Sequence, residues 1–422
     1  MTMRPSAATA PLAPALTGTK RKVNWADLYR EVVQNDVCSG CAACVITCPR
    51  SVLGYHGTRP FQKDELSDPG YCHFGEAGCD VCTRACPRFH FDFGAVDQAL
   101  FGRRRKSSEV AGVYSEAVAL RSVSTGPRSQ AQDGGLVSAV LVWALETGRI
   151  DGAVVAGPYP DRPLRALPLI AETPEAILAS AGSRYTYVPN LLALADASPD
   201  RRLAFVGVGC QISGLVAGQQ AKLKRFRSIV FRIGLMCSET FSEEPFLDGL
   251  LQARLGLDLA RVHKVNVKGK LIVSTDSGNH GALAHGPVEG SKARISDQGR
   301  IEIPLSEARP LARSQCQWCS DFSAEWSDLS AGGLGIDGWT VALVRTQAGA
   351  DWVASMQDDG ILEARDLGEL GNARQLMQRL ATAQRDRPRR TLAALQRPVM
   401  TGYDGTEVLA PGTADPAASS NA

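Results

Sequence analysis

Closely spaced cysteines near the amino terminus constrain this chain more than any other feature. The first group has the pattern C-x2-C-x2-C-x3-C-P and consists of Cys38, Cys41, Cys44 and Cys48. The second has the pattern C-x6-C-x2-C-x3-C-P and consists of Cys72, Cys79, Cys82 and Cys86. A chain of 422 residues can bury a core without disulfides, and no apolar signal-peptide core precedes these cysteines. We therefore expect them to bind metal in a reducing compartment, the cytoplasm.

This spacing is typical of paired 4Fe-4S clusters. Three thiolates of such a cluster come from one tight loop, and the fourth comes from the motif of the neighbouring cluster. The first predicted cluster therefore has the ligands Cys38, Cys41, Cys44 and Cys86, and the second has Cys72, Cys79, Cys82 and Cys48. Zinc is the alternative, but zinc sites usually use two C-x-x-C pairs and lack the C-x3-C-P ending. The long spacer after Cys72 makes it the least certain ligand, and the whole segment resembles a two-cluster bacterial ferredoxin.

The composition is that of an ordinary globular chain, with 44% hydrophobic residues, 21% charged residues and a net charge of +2. This near-neutral balance argues against nucleic acid as a partner. No apolar run reaches the roughly 18 residues of a membrane-spanning helix. We predict disordered tails at 1–22 and 401–422, a ferredoxin-like domain at 23–100, a basic exposed linker at 101–112 and a larger domain at 113–400.

The larger domain alternates between predicted strands and predicted helices. The apolar runs typical of buried strands are GAVVAG, RLAFVGVG, SIVFRIGLMC and TVALVRT. Helical patterns separate them, among them GLVSAVLVWALETG and AGADWVASMQDDG. The alternation predicts an α/β fold with a parallel or mixed sheet. The fold class is therefore α/β, an α+β mixed-sheet domain preceded by a small ferredoxin-like iron–sulfur domain.

Four further cysteines are scattered through the larger domain: Cys210, Cys237, Cys316 and Cys319. Cys210 and Cys237 each follow a predicted strand, and ligands of open α/β sheets collect at the carboxyl ends of the strands. By themselves these two residues are better explained as buried core thiols. Cys316 and Cys319 form a C-x-x-C that is compatible with half a zinc site or a thiol–disulfide pair.

Several short blocks of the larger domain occur together in a characteristic order. They are AQDGG (131–135), AGSRYTYVPN (181–190), FVGVGCQISGL (205–215), GLMCSETF (234–241), VNVKGKLIVSTDSG (265–278) and QCQWCSDFSAEW (315–326). In this order they resemble the coenzyme F420 hydrogenase/dehydrogenase beta subunit family, which includes formate dehydrogenase beta subunits and chlorophyll-pathway reductases. The resemblance implies FAD and one 4Fe-4S cluster in this domain, with Cys210, Cys237, Cys316 and Cys319 as the ligands of a third cluster.

The same resemblance assigns the FAD contacts to three short segments. They contain Gln132, Asp133, Gly134 and Gly135, then Ser183, Arg184, Tyr185 and Thr186, and finally Lys268, Gly269 and Lys270. A Gly-rich turn at a helix N-terminus suits a phosphate group, although a plain turn with a helix cap has the same pattern. The sequence G-x-G-x-x-G at 333–338 is not interpreted as a dinucleotide fingerprint, because a predicted strand rather than a helix follows it.

These features predict an iron–sulfur flavoprotein oxidoreductase. We expect it to exchange hydride between a small-molecule carrier, by resemblance coenzyme F420, and FAD, and to exchange single electrons with a redox protein partner. A ferredoxin-dependent reductase of an organic substrate and a non-catalytic relay subunit of a larger complex are the alternatives. No nucleophile–base arrangement is visible, so the sequence assigns no catalytic residue.

Overall fold

The computed structural model of this chain describes residues 22–64, 68–276 and 278–395. Apart from Lys22, the predicted disordered tails lie outside the described residues. The strands are β1 Leu53–His56, β2 Arg59–Gln62, β3 Glu116–Ser122, β4 Gly152–Pro158, β5 Ala166–Ala171, β6 Leu203–Val208, β7 Ile229–Leu235, β8 Val262–Val267, β9 Lys270–Thr275, β10 Arg294–Ile295, β11 Ile301–Pro304, β12 Leu329–Gly332, β13 Thr340–Val344 and β14 Leu362–Asp366.

The α-helices are α1 Trp25–Leu28, α2 Ala43–Ile46, α3 His73–Glu76, α4 Val81–Arg84, α5 Phe93–Phe101, α6 Thr125–Gln130, α7 Leu136–Glu146, α8 Pro174–Ala179, α9 Gly209–Gln220, α10 Leu305–Ala308, α11 Gln347–Asp358, α12 Ala373–Arg385 and α13 Arg387–Leu395. Two segments are π-helical, Tyr29–Val33 and Glu244–Arg254. The 3-10 helices are Asn190–Leu194, Lys224–Phe226, Leu259–Arg261, Gly281–His285, Arg309–Leu311, Ser314–Trp318 and Leu367–Glu369.

An eight-stranded mixed sheet organises the larger domain. Its strand order is β14-β3-β13-β12-β7-β6-β4-β5. The four central strands β12, β7, β6 and β4 run parallel to one another, whereas β13, β3 and β14 on one side and β5 on the other add antiparallel pairs. The sequence prediction of an α/β fold with a mixed sheet is confirmed.

The two faces of this sheet are covered by different elements. Ala204 and Val206 of β6 belong to the core that contains α7 and α11, whereas Leu203 and Phe205 belong to the core beneath α9. This alternation follows from the two-residue period of a strand. The second core also contains Ala43, Ile46 and Phe93, so the cysteine-rich segment packs directly on α9.

A smaller antiparallel sheet is inserted between β7 and β12, with the strand order β10-β11-β9-β8. It packs with the π-helical segment Glu244–Arg254 around a separate core that includes Phe246, Leu271 and Ile303. The sequence analysis did not predict this sheet, because β10 and β11 are too short to show a period of two. Among the described helices, none is long and apolar enough to cross a membrane.

The predicted exposed linker at 101–112 is only partly exposed. Arg105 pairs with the buried carboxylates of Asp97 and Glu325, and its side chain is 18% exposed. Arg103 instead pairs with Glu109 near the surface. The prediction was wrong for Arg105, because the segment connects two parts of the molecule that share buried charges. The other domain boundaries stay a prediction.

Candidate functional site

Cys210 and Cys237 lie at the carboxyl ends of neighbouring strands. Cys210 lies in the first turn of α9 directly after β6, and Cys237 follows β7. Strands β6 and β7 are parallel, with Val208 opposite Leu235 at their ends. The prediction that both cysteines follow strands at one edge of the sheet is therefore confirmed.

Cys316 and Cys319 come to the same edge from a distant part of the chain. Cys316 lies in the 3-10 helix Ser314–Trp318, and Cys319 ends it. The Sγ of Cys316 is 3.5 Å from the backbone nitrogen of Thr240, and the backbone nitrogen of Cys237 donates to the carbonyl oxygen of Phe322 at 2.8 Å. All four scattered cysteines line one cavity of about 390 Å³. We call them the third set: Cys210, Cys237, Cys316 and Cys319.

The electrostatics of the third set show how closely its thiols approach one another. Burial raises the pKa of Cys237 well above its ordinary value, and the neighbouring Cys316, Cys210 and Cys319 raise it further. Burial also raises the pKa of Cys210, again with contributions from Cys319 and Cys316. Crowded, buried thiols suit a positively charged centre that binds them as thiolates.

The predicted exchange of the fourth ligand defines two sets among the eight N-terminal cysteines. Burial raises the pKa of Cys44 well above its ordinary value, and then Cys38, Cys41 and Cys86 raise it further. Burial raises the pKa of Cys82 to about 12, with contributions from Cys79, Cys48 and Cys72. We call these groups the first set (Cys38, Cys41, Cys44 and Cys86) and the second set (Cys48, Cys72, Cys79 and Cys82).

The second set lines a cavity of about 340 Å³, which includes Cys72. Cys72 precedes α3, and the backbone nitrogen of Cys79 donates to the carbonyl oxygen of Phe74 at 2.9 Å. The short helix therefore accommodates the long spacer and keeps Cys72 beside its set. The assignment of Cys72 as an iron ligand stays a prediction.

The second and third sets each line a cavity. A zinc ion needs ligands within about 2.3 Å, and within the described residues no group of three or more His, Cys, Asp or Glu side chains is arranged to hold a metal ion. All twelve cysteines are free thiols. Four thiols are the donor set of a 4Fe-4S cluster, so the three sets of four thiols fit that group by their chemistry.

The first and third sets are neighbours across α9. A Cβ atom on Gly214, one turn after Cys210, would lie 2.7 Å from the Sγ of Cys41. The charge of Cys41 also raises the pKa of Cys210. At the other end of the first set, Cys82 raises the pKa of Cys44. The three sets therefore lie in the order second, first, third.

Arg313 lies between the first and third sets and was missed in the sequence analysis. Its side chain is buried, and its guanidinium carbon lies 3.8 Å from the centre of the Tyr187 ring. Its Nη2 donates to the carbonyl oxygen of Ser39 at 3.1 Å. A basic residue three positions before the C-x-x-C was the available signal, but its reach toward Ser39 is not encoded locally.

Arg387 is a second missed residue near the third set. Its Nη1 donates to the carbonyl oxygens of Ser238 at 2.6 Å and Cys316 at 3.2 Å. Arg387 lies in the basic run RDRPRR. It reaches the third set because α13 packs against the 3-10 helix Ser314–Trp318.

The first two predicted FAD segments come together beside β8. The Oε1 of Gln132 accepts from the backbone nitrogen of Ser183 at 3.4 Å, and its Nε2 donates to the carbonyl oxygen of Val265 at 3.2 Å. Lys264, which was not predicted, donates to the carbonyl oxygens of Ala131 at 3.1 Å and Gln132 at 2.7 Å. We call this convergence the Gln132 region.

The glycines of this region are required by the packing of the protein itself. A Cβ atom on Gly134 would lie 2.8 Å from the backbone of both Leu120 and Thr340. Gly135 has φ +76°, which favours glycine, and it precedes α7. Burial raises the pKa of Asp133, although Lys268 and Lys264 partly offset this increase.

The 183–186 segment carries buried polar atoms without partners. Among the described residues, neither the Nε of Arg184 nor the Oγ1 of Thr186 has a hydrogen-bond partner. Burial lowers the pKa of Arg184, and no neighbouring acid offsets this effect. A buried guanidinium nitrogen without an acceptor suits a phosphate group, so the segment fits FAD.

Tyr185 connects this segment to the third set. Its φ is +60°, which is uncommon for a residue with a side chain. Its hydroxyl accepts from the backbone nitrogen of Val267 at 3.2 Å. Burial raises the pKa of Tyr185 to about 12, the Val267 bond lowers it, and the charges of Asp133 and Cys237 raise it. The ring is therefore within electrostatic range of both the Gln132 region and the third set.

The third predicted FAD segment contains the two-residue hairpin turn between β8 and β9 and the first residue of β9. Lys268 pairs with Asp337, and Lys270 pairs with Glu302 at 2.6 Å on the smaller sheet. Gly269 has φ +70° and lies at the turn. Lys268 faces the loop at 333–338, whereas Lys270 is paired away from it. The loop at 333–338 joins the antiparallel strands β12 and β13. A strand therefore follows it, as the sequence predicted, and a dinucleotide fingerprint would need a helix there.

Comparison with known proteins adds independent information. Residues 118–195 and 200–369 match the N-terminal and C-terminal regions of the family described as coenzyme F420 hydrogenase/dehydrogenase, beta subunit. The chain is 30% identical to the coenzyme F420 hydrogenase subunit beta of Methanothermobacter thermautotrophicus, over 68% of this chain and 96% of that protein.

Two further comparisons extend the match toward the amino terminus and to a solved structure. The chain is 29% identical to the coenzyme F420-dependent sulfite reductase of Methanocaldococcus jannaschii, over 82% of this chain and 50% of that protein. A chain from a structure of the F420-reducing [NiFe] hydrogenase complex of Methanosarcina barkeri superimposes with a TM-score of 0.61 and 27% identity. That match covers 72% of this chain and 99% of the other.

Proposed function

Because the chain belongs to the coenzyme F420 hydrogenase/dehydrogenase beta subunit family, we propose that it is an oxidoreductase that exchanges electrons between coenzyme F420 and a redox protein partner. The observation that carries the proposal is the order of the three cysteine sets, with the third set next to Tyr185 and the Gln132 region. That order provides a path for single electrons from one end of the molecule to the other.

Each proposed cofactor has residues that would hold it. The three cysteine sets would each hold one 4Fe-4S cluster, and the Gln132 region with Arg184 and Thr186 would hold FAD. A flavin exchanges hydride as two electrons and also exchanges single electrons, whereas a 4Fe-4S cluster exchanges one electron. The guanidinium of Arg184 would bind a phosphate oxygen, and Gln132 would orient the 183–186 segment through its bond to Ser183.

The partner and the setting follow from the relatives. Relatives named as hydrogenase and F420H2 dehydrogenase subunits support a protein that works with a second redox protein. The second set, at the far end of the series from the Gln132 region, is the proposed point of exchange with this partner. A cytoplasmic location is part of the same proposal, since free thiols of this kind persist in reducing compartments.

Reduction of an organic substrate is the second candidate function. The chain is 26% identical to the 7-hydroxymethyl chlorophyll a reductase of Oryza sativa, over 56% of this chain and 46% of that protein. The F420 hydrogenase subunits match over a larger share of both chains. We therefore rank the F420-linked function first.

The test uses cluster-replete protein under anaerobic conditions. Reduced coenzyme F420 is added, and the flavin absorbance is followed. We expect bleaching at a rate that increases with the F420 concentration. If the flavin bleaches with reduced ferredoxin but never with reduced F420, the first function is wrong and the organic-substrate reductase is favoured.

An arginine variant tests the proposed flavin site in the same experiment. Arg184→Met removes the guanidinium, whose Nε has no partner among the described residues, and is expected to weaken FAD binding by roughly 10- to 100-fold, the usual effect of losing a charged hydrogen bond. Arg149→Met is the matched control, because Arg149 is exposed and lies over the Trp143 ring at 4.5 Å after the C-terminal end of α7, whereas the Gln132 region precedes the N-terminal end of that helix. Equal FAD affinity in both variants would remove Arg184 from the site.

A further inference from the structure

The backbone of Arg313 belongs to the loop of the third set. Its nitrogen donates to the carbonyl oxygen of Thr240 at 2.9 Å, and its carbonyl oxygen accepts from the backbone nitrogen of Cys316 at 2.9 Å. Thr240 also lies against the Sγ of Cys316. The position of Arg313 is therefore determined by the same contacts that position Cys316.

The side chain of Arg313 reaches the loop of the first set. Its Nη2 donates to Ser39, which lies between Cys38 and Cys41. A Cβ atom on Gly40 would lie 2.7 Å from this nitrogen and 2.4 Å from the carbonyl oxygen of Thr58. Gly40 also has φ +77°. The glycine of the first C-x-x-C therefore leaves room for a guanidinium from a distant part of the chain.

The charge of Arg313 has no carboxylate partner within the described part of the chain. Its guanidinium donates to the neutral carbonyl of Ser39, its Nε has no partner, and it forms no ion pair there. Burial lowers the pKa of Arg313, but its neighbours Tyr187, Cys316 and Cys210 raise it, and the net shift is upward. A buried cation without a counter-charge is strongly unfavourable. The thiolates of the two adjoining sets are the groups able to supply that counter-charge.

We propose that Arg313 is a counter-charge shared by the first and third sets, and that it raises the reduction potentials of the clusters these sets would hold. The inference rests on the proposed function only in assuming that the sets hold clusters. Each cluster gains one electron and no bond forms or breaks. The added negative charge is stabilised by the guanidinium, which stays protonated. Arg313 is a positioning and tuning residue and does not touch a substrate.

The shared position has a consequence for electron transfer. A cation between two one-electron centres stabilises an electron on either of them, so it raises both reduction potentials. The second set lies beyond the first, and its potential is set by other groups. Loss of the charge should therefore lower the potentials of the first and third clusters together and leave that of the second unchanged.

The test is a potentiometric titration of the three clusters, followed by electron paramagnetic resonance in the full chain. Variants that lack one ligand, Cys82→Ser and Cys319→Ser, assign the signals of the second and third sets. Arg313→Met should lower the midpoint potentials of the first and third clusters. The expected shift of each is about 59 mV, which is a tenfold change in the equilibrium constant of a one-electron reduction. Arg162→Met is the matched control, since Arg162 stacks on Tyr159 at 4.9 Å but is exposed.

A charge-conserving variant separates charge from packing. Arg313→Lys should keep both potentials near those of the unmodified protein. If Arg313→Met loses a cluster and Arg313→Lys keeps it, the charge is required and the proposal stands. If both variants lose it equally, or if Arg313→Met leaves both potentials unchanged, the proposal is wrong. The potentials do not depend on the hydride carrier, so shifted potentials without bleaching by F420 would contradict the proposed function alone.

Discussion

At the scale of single residues, the role of the pair Cys316 and Cys319 depends on the cysteines that lie beside it. Cys316 and Cys319 are separated by two residues, a spacing shared by zinc sites and thiol redox pairs. In the structure they line the same cavity as Cys210 and Cys237. All four thiols are needed to complete a 4Fe-4S site, so the role of the pair depends on residues about a hundred positions earlier.

Removal of one thiol from the third set should remove one cluster. We expect Cys316→Ser to lower the iron content by roughly four per chain, from about twelve, because a hydroxyl replaces one of four thiolates. The measurement is iron and sulfide analysis of anaerobically purified protein. Cys79→Ser should cause an equal loss in the second set while leaving the signal of the third. Unchanged iron in Cys316→Ser would return the pair to the zinc or thiol interpretations.

At the scale of elements, α9 connects two cysteine sets through one face. The helix begins directly after β6, contains Cys210 in its first turn and brings Gly214 against Cys41. Close contact between the helix and the first set requires a residue without a side chain at this position. The packing of the cysteine-rich segment on the large sheet therefore depends on a helical glycine that a propensity argument would treat as unfavourable.

A methyl group on α9 tests this contact. Gly214→Ala would place a carbon 2.7 Å from the Sγ of Cys41, so Cys41 must shift and the first set should lose its cluster. The expected result is a decrease of roughly four irons per chain with the signal of the third set retained. Gly249→Ala is the control, because its nearest atom is the carbonyl oxygen of Glu244 at 3.7 Å. Full iron content in Gly214→Ala would show that the contact is adaptable.

At the scale of the whole molecule, buried charges join the N-terminal segment to the larger domain. Asp97 of α5 pairs with Arg105 and accepts from the Nε1 of Trp326 at 2.9 Å. Glu325 pairs with both Arg105 and Arg385 of α12. Because Asp97 and Glu325 are almost fully buried, loss of either partner would leave an uncompensated charge.

Loss of the Asp97 carboxylate should weaken this junction. Asp97→Asn is expected to lower the free energy of unfolding by about 3 kcal/mol, since removing one partner strands the other. The measurement is urea denaturation at neutral pH under anaerobic conditions. Glu109→Gln, which breaks the surface pair with Arg103, should have a much smaller effect. Similar midpoints for both variants would contradict a role for the buried pair.

The same carboxylate predicts a pH dependence of stability. Burial raises the pKa of Asp97, but the hydrogen bonds and charge of Arg105 lower it by more, so the net shift of the pKa is downward. A carboxylate whose pKa is lowered in the folded state stabilises the protein. This stabilisation is fully present at pH values above the ordinary carboxyl pKa of about 4, and it is lost as the pH falls through the folded-state pKa. In acid, the free energy of unfolding of Asp97→Asn should therefore depend less on pH than that of the unmodified chain.

Local patterns by themselves determined much of this protein. Apolar runs and helical periods predicted β4, β6, β7 and β13 and the intervening helices, because burial on a sheet or helix has a short period. The C-x2-C-x2-C-x3-C-P spacing predicted two exchanged cysteine sets, because a loop around a cluster needs closely spaced thiols. In the structure, Cys38, Cys41 and Cys86 act on Cys44, and Cys79, Cys48 and Cys72 act on Cys82; the assignment of the two sets as cluster ligands stays a prediction.

Only the tertiary structure decided how the sets face one another and what lies between them. Arg313 reaches Ser39, and Gly214 lies against Cys41, across separations of more than a hundred residues. Each contact depends on how α9 and the 3-10 helix Ser314–Trp318 pack on the cysteine-rich segment. A guanidinium bound to a carbonyl leaves no repeating pattern in a sequence. The position of the Arg313 charge between two distant loops is therefore decided by tertiary packing.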